Sequence, residues 1–514
     1  MTAPTESSST GGPAETSAAR GSGVLAAAFL VVGAGNYAFT LVTAHIIARA
    51  DYGVLALAQS FLFFTAWFTS AGFPWTATRR ISSSDDMAAR AAVLRGAMVG
   101  NLAVATLLAL VLVLLTATGA FKLGSQSSLP VVLAAITCSI SGISTVARGG
   151  LQGLFRFRTV AIANLIETAV KICLGVGLAA AGWGATGAAA GILTGMVVAT
   201  LYSLWSLRGV PLLSTHGFGG MSLVRETVPL FVGTAGMALL TSVDLFAVKL
   251  LSPVSGSNDN AALYQASVTL ARIPYFFASA LTTAVFPHVV RARHDIEAAA
   301  LYVRKGILFV LTLLTPISLV MIAEPSTVLR IFLPASYAEA APALRTIAIG
   351  TTFLALSTFL VGSLQASGRD RMPAALALGA VVVEVVGLAI AIPIGVQRGG
   401  AGALVGAGIA FDIASIGVAL TLLVTAWWQF RWPLRMRGPI VFVVACVAMV
   451  LTFKLLPHEG RISVVLSAIV ATVVYAVIAV VLGLLSRGDL HTLRNALPGG
   501  GRPGRSAPPT TAPS

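Results

Sequence analysis

The chain alternates about fourteen long apolar runs with short polar loops, and that pattern leaves few folds open. The runs cover residues 24–48, 54–77, 95–118, 129–151, 159–181, 185–206, 226–251, 261–289, 306–323, 343–366, 373–396, 400–427, 438–456 and 462–485. A helix needs about 20 such residues to cross the hydrocarbon core of a bilayer. Of the 514 residues, 57% are hydrophobic and 10% charged, where a soluble chain carries about 25% charged residues. Water cannot hold that much apolar surface in solution. The expected fold is an all-α polytopic membrane protein with about 14 transmembrane helices.

The loops set the orientation. With the N-terminus inside, 23 of the 33 Lys and Arg residues fall in inside segments and eight in outside segments, leaving Lys171 and Arg272 within spans. This bias alternates from loop to loop, which predicts an even number of spans and two cytoplasmic termini. The net charge of +15 is therefore read as a topology signal rather than a nucleic-acid surface, and Arg148 as one of its loop charges. Residues 1–23 and 486–514 are rich in Pro, Gly, Ser and Thr and read as disordered cytoplasmic tails. Cys138, Cys173 and Cys446 lie inside apolar runs without metal-type spacing and read as free thiols.

One phrase occurs twice. "STVARGGLQGLFRFR" (144–158) and "STFLVGSLQASGRDR" (357–371) share seven of fifteen positions, 213 residues apart. Each closes a span, the fourth and the tenth, and leads through a basic loop into the next. "GATGAAAG" (184–191) and "GGAGALVG" (399–406) form a weaker second echo. Spans 1–6 and 7–12 therefore read as two copies of a six-helix unit. Six is even, so both copies point the same way, related by a pseudo-twofold axis along the membrane normal. The expected domains are a bundle over 24–207, a second over 226–427, and two extra helices over 438–485. Two such bundles would enclose a midplane cavity and rock about it.

Three stretches carry a family likeness: 50–80 ("ADYGVLALAQSFLFFTAWFTSAGFPWTATRR"), 149–171 ("GGLQGLFRFRTVAIANLIETAVK") and 243–287, which opens "VDLFAVKLLSPVSGSNDNAALYQASVTLARIPYFF". Over residues 24–485 the chain resembles the polysaccharide-exporter branch of the multidrug/oligosaccharidyl-lipid/polysaccharide exporter superfamily. The resemblance implies a flippase for a polyprenyl-pyrophosphate-linked oligosaccharide in the plasma membrane, serving cell-surface polysaccharide synthesis. It further implies cations on spans 1, 2 and 8 that hold the pyrophosphate. Arg272, in span 8, fits that role, but Ser60 stands near its repeat position in span 2, which argues against lipid II as the substrate. The resemblance also implies a lipid-tail groove formed by the last two spans. Glycan polymerases and glycosyltransferases of the same pathway are the partners it suggests, besides the lipid-linked saccharide and membrane lipids.

Charges within spans are costly and mark function or paired structure. Arginine suits phosphate because its planar fork binds two oxygens at once. Arg49 and Lys249 end spans 1 and 7 and could draw an anionic head to the outer mouth, or anchor at the interface. Gln152 and Gln365, equivalent in the repeat, are candidates for sugar hydroxyls. Glu167 and Lys171, four apart on one helical face, are expected to neutralise each other. Lys171 also has Glu384 as its counterpart 213 residues on, which leaves a cross-lobe contact open. Asp244, Glu384 and Asp412 are candidates for proton or sodium coupling or for structural pairs.

The sequence contains no GxxxxGK[ST] loop, HExxH helix, GxSxG elbow or paired zinc ligands, so no catalytic residue, metal or cofactor is expected. The loops are too short for a soluble catalytic domain. The reading is a non-enzyme exporter, with a cation-coupled multidrug antiporter as the second transport reading and a membrane-embedded glycan polymerase or ligase as the alternative class. Ala- and Val-rich spans with Arg favoured over Lys suggest a bacterial source.

Overall fold

The computed structural model describes residues 13–211, 220–253, 256–278, 282, 289, 295–369, 371–431, 437–457 and 460–482. The N-terminal bundle comprises α1 (Pro13–Ile46), α2 (Arg49–Ala71), α3 (Phe73–Ser82), α4 (Met87–Ala117), α5 (Leu129–Gly153), α6 (Phe157–Leu178) and α7 (Gly184–Ser206). The second comprises α8 (Gly220–Leu240), α9 (Val243–Leu251), α10 (Ser257–Ala271), α11 (Ile296–Ala323), α12 (Pro325–Phe332), α13 (Ala341–Ala366), α14 (Arg371–Arg398) and α15 (Gly402–Phe430). A last hairpin is formed by α16 (Arg437–Leu455) and α17 (Arg461–Val481). Long apolar side chains project outward over much of this surface, as they must where lipid is the solvent.

Eleven helical stretches among the described residues are long and apolar enough to cross a membrane. One of them, 157–206, is a hairpin of two spans: the chain turns through a π-turn at Ala179–Trp183, where Gly182 has φ 97°. Spans 7 and 8 are broken, the seventh between α8 and α9 and the eighth at Arg272, after which residues 273–278 resume a helix. The expected tail over 1–23 needs correction. Residues 13–23 continue α1 as helix, in keeping with the good helix formers of "PAETSAAR". Residues 1–12 and 486–514 lie outside the described residues.

The two bundles share one packing plan. Helix α5 lies against α2, α4 and α7, and α13 against α10, α11 and α15. The α6–α7 hairpin packs like the α14–α15 hairpin, with α1 and α8 closing on each. The repeated phrase encodes a shared helix end. Phe155 N–H donates to Gln152 O (2.9 Å) and Arg156 N–H to Leu151 O (2.8 Å); 213 residues later Gly368 donates to Gln365 O (2.9 Å) and Arg369 to Leu364 O (3.1 Å). Both turns need a left-handed residue, met by Gly368 at φ 87° and by Phe155 at φ 59°.

The glycine echo has an equally physical purpose. A Cβ on Gly191 would lie 2.2 Å from the Gly175 backbone, and one on Gly406 2.3 Å from Ala391 O. Backbones in both hairpins touch, which is how small residues bind helices where no hydrophobic effect drives association. Gly191→Val is therefore expected to destabilise the protein by about 1–3 kcal/mol. Gly177→Ala, on the same hairpin but with open space at its Cβ, should be neutral or stabilising. Thermal unfolding of the detergent-solubilised variants checks both.

The bundles meet along α2 and α10, which run parallel: Gly53 touches the Asn258 backbone, Ser60 Oγ donates to Gln265 Oε1 (3.2 Å), and Phe63 meets Arg272. Phe246 packs edge-on to Phe64, and Phe231 stacks on Phe68 and meets Phe73 edge-on.

Candidate functional site

The seventh span breaks at Thr241–Ser242. Thr241 Oγ1 turns back to Met237 O (2.8 Å) and Ala238 O (3.1 Å), and Ser242 leaves helical geometry at φ −143°. A hydroxyl that bonds its own preceding turn weakens a helix at that point. The break frees backbone groups, and charged side chains meet them. Arg272 Nη2 donates to Thr241 O at the C-terminus of α8. Asp244, in the first turn of α9, accepts the Leu245 N–H (2.8 Å). A cation at a helix C-terminus and an anion at a helix N-terminus each oppose the local dipole.

Tyr264 donates its hydroxyl to Asp244 Oδ2 (3.0 Å). Glu384 of α14 completes the group. It is 0% exposed, lies within Coulombic reach of Asp244 and Arg272, and neither of its carboxylate oxygens has a hydrogen-bond partner among the described residues. Ser242 Oγ is likewise buried without a partner. Two buried carboxylates thus lie near one guanidinium, without an ion pair to it among the described residues. The remaining negative charge has no donor, and burial of an unpaired charge is expensive unless a proton or cation neutralises it. Arg272 is half-buried and faces the seam, with its guanidinium 5.3 Å from the centre of the Phe63 ring in the other bundle.

Polar contacts close the seam at both ends. At one, Arg49 Nη1 pairs with Glu339 (2.9 Å) and its Nε with Asp259 (3.3 Å), while Lys122 Nζ donates to Ser252 O (2.9 Å). At the other, Glu226 receives Arg79 Nη2 (2.7 Å), Arg80 Nη2 (2.5 Å) and Arg80 Nε (3.3 Å).

Several expectations from sequence change here. Glu167 and Lys171 make no direct ion pair among the described residues. Glu167 takes Arg148 Nη2 (2.5 Å), and Arg148 also donates to Asn164 Oδ1 (2.7 Å), so Arg148 is a bundle residue rather than a loop charge. Lys171 donates to Asn36 Oδ1 and lies over Phe39, within its own bundle and away from Glu384. The i, i+4 spacing permits contact, but a guanidinium with two acceptors on α6 outcompetes the flexible ammonium. Lys249 is not at a mouth: it is 0% exposed and bonded to Asn258 Oδ1. Arg49 is at a mouth, with its charge held by Asp259 and Glu339. Asp412 accepts the Gly350 N–H (2.8 Å) and ties α15 to α13, apart from the Asp244 group. Gln152 and Gln365 are half-buried in the last turns of α5 and α13. Cys138 is buried and Cys173 exposed on an apolar span; all three cysteines are free.

The sequence reading did not single out Tyr264, Thr241 or Glu226. Only the hydroxyl pair in "LLTSVD" hinted at the break.

The family of polysaccharide biosynthesis proteins matches residues 18–293, more than half the chain, and the MatE family matches residues 229–390. The chain belongs to the polysaccharide biosynthesis protein family. It lies in the multidrug/oligosaccharidyl-lipid/polysaccharide exporter superfamily and has the fold of multi-pass membrane transporters. Its fold is similar to that of the lipid II flippase MurJ in an inward closed conformation, with a TM-score of 0.73 at 13% identity over 88% of this chain and 97% of that one. It is also similar to an inward-facing multidrug resistance MATE family transporter, with a TM-score of 0.56 at 16% identity over 78% of this chain and 96% of that one. A superfamily transporter from Pyrococcus furiosus gives 0.52 at 15% identity over 83% and 99%. No curated protein matches the chain. These solved structures are of a flippase and of transporters.

Two variants separate the roles of the buried group in this exporter. Tyr264→Phe removes a buried hydrogen bond to a carboxylate and should destabilise by about 1.5–3 kcal/mol. Glu384→Gln removes the undonated charge and should leave the melting temperature unchanged or raised. Thermal unfolding in detergent measures both.

Proposed function

We propose that this exporter is a flippase that carries a polyprenyl-pyrophosphate-linked oligosaccharide across a bacterial plasma membrane, for cell-surface polysaccharide synthesis. The observation that carries the reading is Arg272: a guanidinium inside the membrane, at a broken helix, facing the seam between two bundles. Taking an anionic, hydrated head across about 30 Å of hydrocarbon is prohibitive without such a group. The lobes separate at one end and then the other, and the head meets Arg272 between them. Arg272 then binds phosphate oxygens in place of Thr241 O.

The alternating loop charge supports cytoplasmic termini, which puts Arg79, Arg80 and Glu226 at the cytoplasmic mouth and Arg49 at the outer one. The bundle boundaries at 24–207, 226–427 and 438–485 follow the same topology. Asp244 and Glu384 supply the place for a coupling proton or sodium ion. That pair also favours the second reading, a cation-coupled multidrug antiporter, in which the carboxylates face the cargo and Arg272 is their internal counter-ion. Glycosyltransferases and a glycan polymerase are the partners the flippase reading implies.

The two readings give opposite results on depletion. Under the flippase reading, lipid-linked glycan builds up on the cytoplasmic leaflet; under the antiporter reading, toxic cations accumulate and the glycan does not. Arg272→Ala should lower glycan export by about tenfold or more through loss of a charge-assisted fork. Arg272→Lys keeps the charge at the α8 terminus but not the fork, so it should retain the protein in the membrane and restore export only in part. Full export by Arg272→Ala at normal membrane levels overturns the assignment.

A further inference from the structure

We propose that Arg79 and Arg80 are a docking site for the phosphate-bearing head, and that Glu226 fills this site when it is empty, so that head binding itself unlatches the cytoplasmic mouth. The inference rests on the flippase reading for its ligand, though not for its geometry. Three guanidinium N–H groups converge on the two oxygens of one carboxylate, at 2.7, 2.5 and 3.3 Å. Arg80 supplies a fork and Arg79 a single donor. The same donor arrangement accepts a phosphate, whose additional oxygens and charge suit it better than a carboxylate.

The latch joins the two bundles beside a bond from Arg80 Nη2 to Ser222 Oγ (3.2 Å) and the buried Leu223 of α8, which packs in one cluster with Ala77 and Ile81. Arg79 and Arg80 sit on α3, which is clasped to its own bundle by Thr78 Oγ1 on Gly149 O (2.8 Å) and by the close approach of Gly149 and Gly153. Glu226 sits on α8 of the other bundle. The layer is wet: the Arg79 side chain is 70% exposed and that of Glu226 35%. Solvated ion pairs are weak and exchange readily, so a more highly charged anion can displace the carboxylate. Beneath the latch, Thr76 and Thr227 share a hydroxyl hydrogen bond (3.2 Å), both buried, and below them Phe231 fills the gap left at Gly72. Loss of the latch thus exposes the hydroxyl pair and the aromatic seal to the mouth.

The opposite mouth has a different balance. There one arginine, Arg49, is shared by two carboxylates, Asp259 and Glu339, where Glu226 is one carboxylate shared by two arginines. Lys122 stands beside that group, so the Arg49 end is balanced in charge while the Arg79–Arg80 end has a cation to spare. A surplus of cation at one mouth favours admission of an anionic head there.

The test uses the full-length chain in nanodiscs, with Cys138, Cys173 and Cys446 replaced by Ala and a reporter disulfide from Thr76→Cys and Thr227→Cys. Inorganic pyrophosphate should slow cross-linking by about fivefold or more relative to chloride at equal ionic strength. Glu226→Gln should cross-link slowly without any anion. Arg79→Gln/Arg80→Gln should abolish the response to pyrophosphate. Reversing the latch, with Arg79→Glu, Arg80→Glu and Glu226→Arg, should restore fast cross-linking but not the response. An unchanged rate with pyrophosphate, or parental cross-linking in Glu226→Gln, overturns the proposal. Calorimetry on the chain without reporter cysteines gives an independent reading: Glu226→Ala should bind pyrophosphate about tenfold more tightly and the double Gln variant not at all. Equal affinity in Glu226→Ala and parent also overturns it. None of these measurements involves transport. A failed glycan assay with a pyrophosphate-sensitive latch discards the flippase reading, and the converse discards only the latch.

Discussion

A helix interrupted inside a bilayer exposes carbonyls and amides that hydrocarbon cannot satisfy, and the seventh span is interrupted at Thr241–Ser242. The rest of the site follows from that constraint. The free carbonyl draws the Arg272 guanidinium inward from α10, and the free amide draws the Asp244 carboxylate. Each charge is tolerated because it faces the helix end of opposite sign. Together they make a polar spot deep enough that Tyr264 turns its hydroxyl into it and Glu384 adds a second carboxylate. Without the break, Arg272 would be an unpaired cation in an apolar seam and Asp244 an unpaired anion beside it. The break and the charges require each other, which is why irregular backbone within a membrane is found where it lines a site or is buried in protein.

Much of the scaffold is legible in the sequence because the bilayer permits so little. The all-helical membrane architecture and its doubling could be read from apolar runs and from one repeated phrase. The structure gives that phrase a cause: the turns after Gln152 and Gln365 have the same backbone hydrogen bonds, and both need a left-handed residue. The glycine echo has a cause as well, since Gly191 and Gly406 lie where two backbones touch. Local backbone requirements leave local residue signatures, so they survive in a string of letters.

The ion pairs were far less legible. Arg148 and Glu167 are 19 positions apart, Arg80 and Glu226 146, and Arg49 and Glu339 290. A partner at such a distance has no spacing rule, whereas Glu167 and Lys171 have one that proved misleading. Helical spacing says which side chains can meet. It does not say which acceptor a cation takes when several are in reach, and Arg148 reaches both Asn164 and Glu167 at once. Lys249 failed as a mouth residue for a similar reason. Its place at the end of a span looked exposed, but α10 folds back over it and Asn258 caps the ammonium.

The duplicated scaffold therefore supports two different electrostatic interiors. At offset 213, Lys171 of α6 corresponds to Glu384 of α14, an ammonium in one bundle and a carboxylate in the other. Packing tolerates the difference because glycines make the close hairpin contacts: Gly195 lies against the backbone and Cβ of Lys171, short of its ammonium. Solvation does not tolerate it without partners, and each bundle supplies its own. Asn36 and Phe39 hold Lys171, while Glu384 has Asp244 and Arg272 nearby and no hydrogen-bond partner among the described residues. The first bundle thus carries a cation already satisfied by its own residues, and the second a carboxylate that is not. An ion from solution has something to neutralise only in the second. The symmetry of the backbone thus coexists with a chemistry confined to one side of the seam, the side that also carries the broken helix.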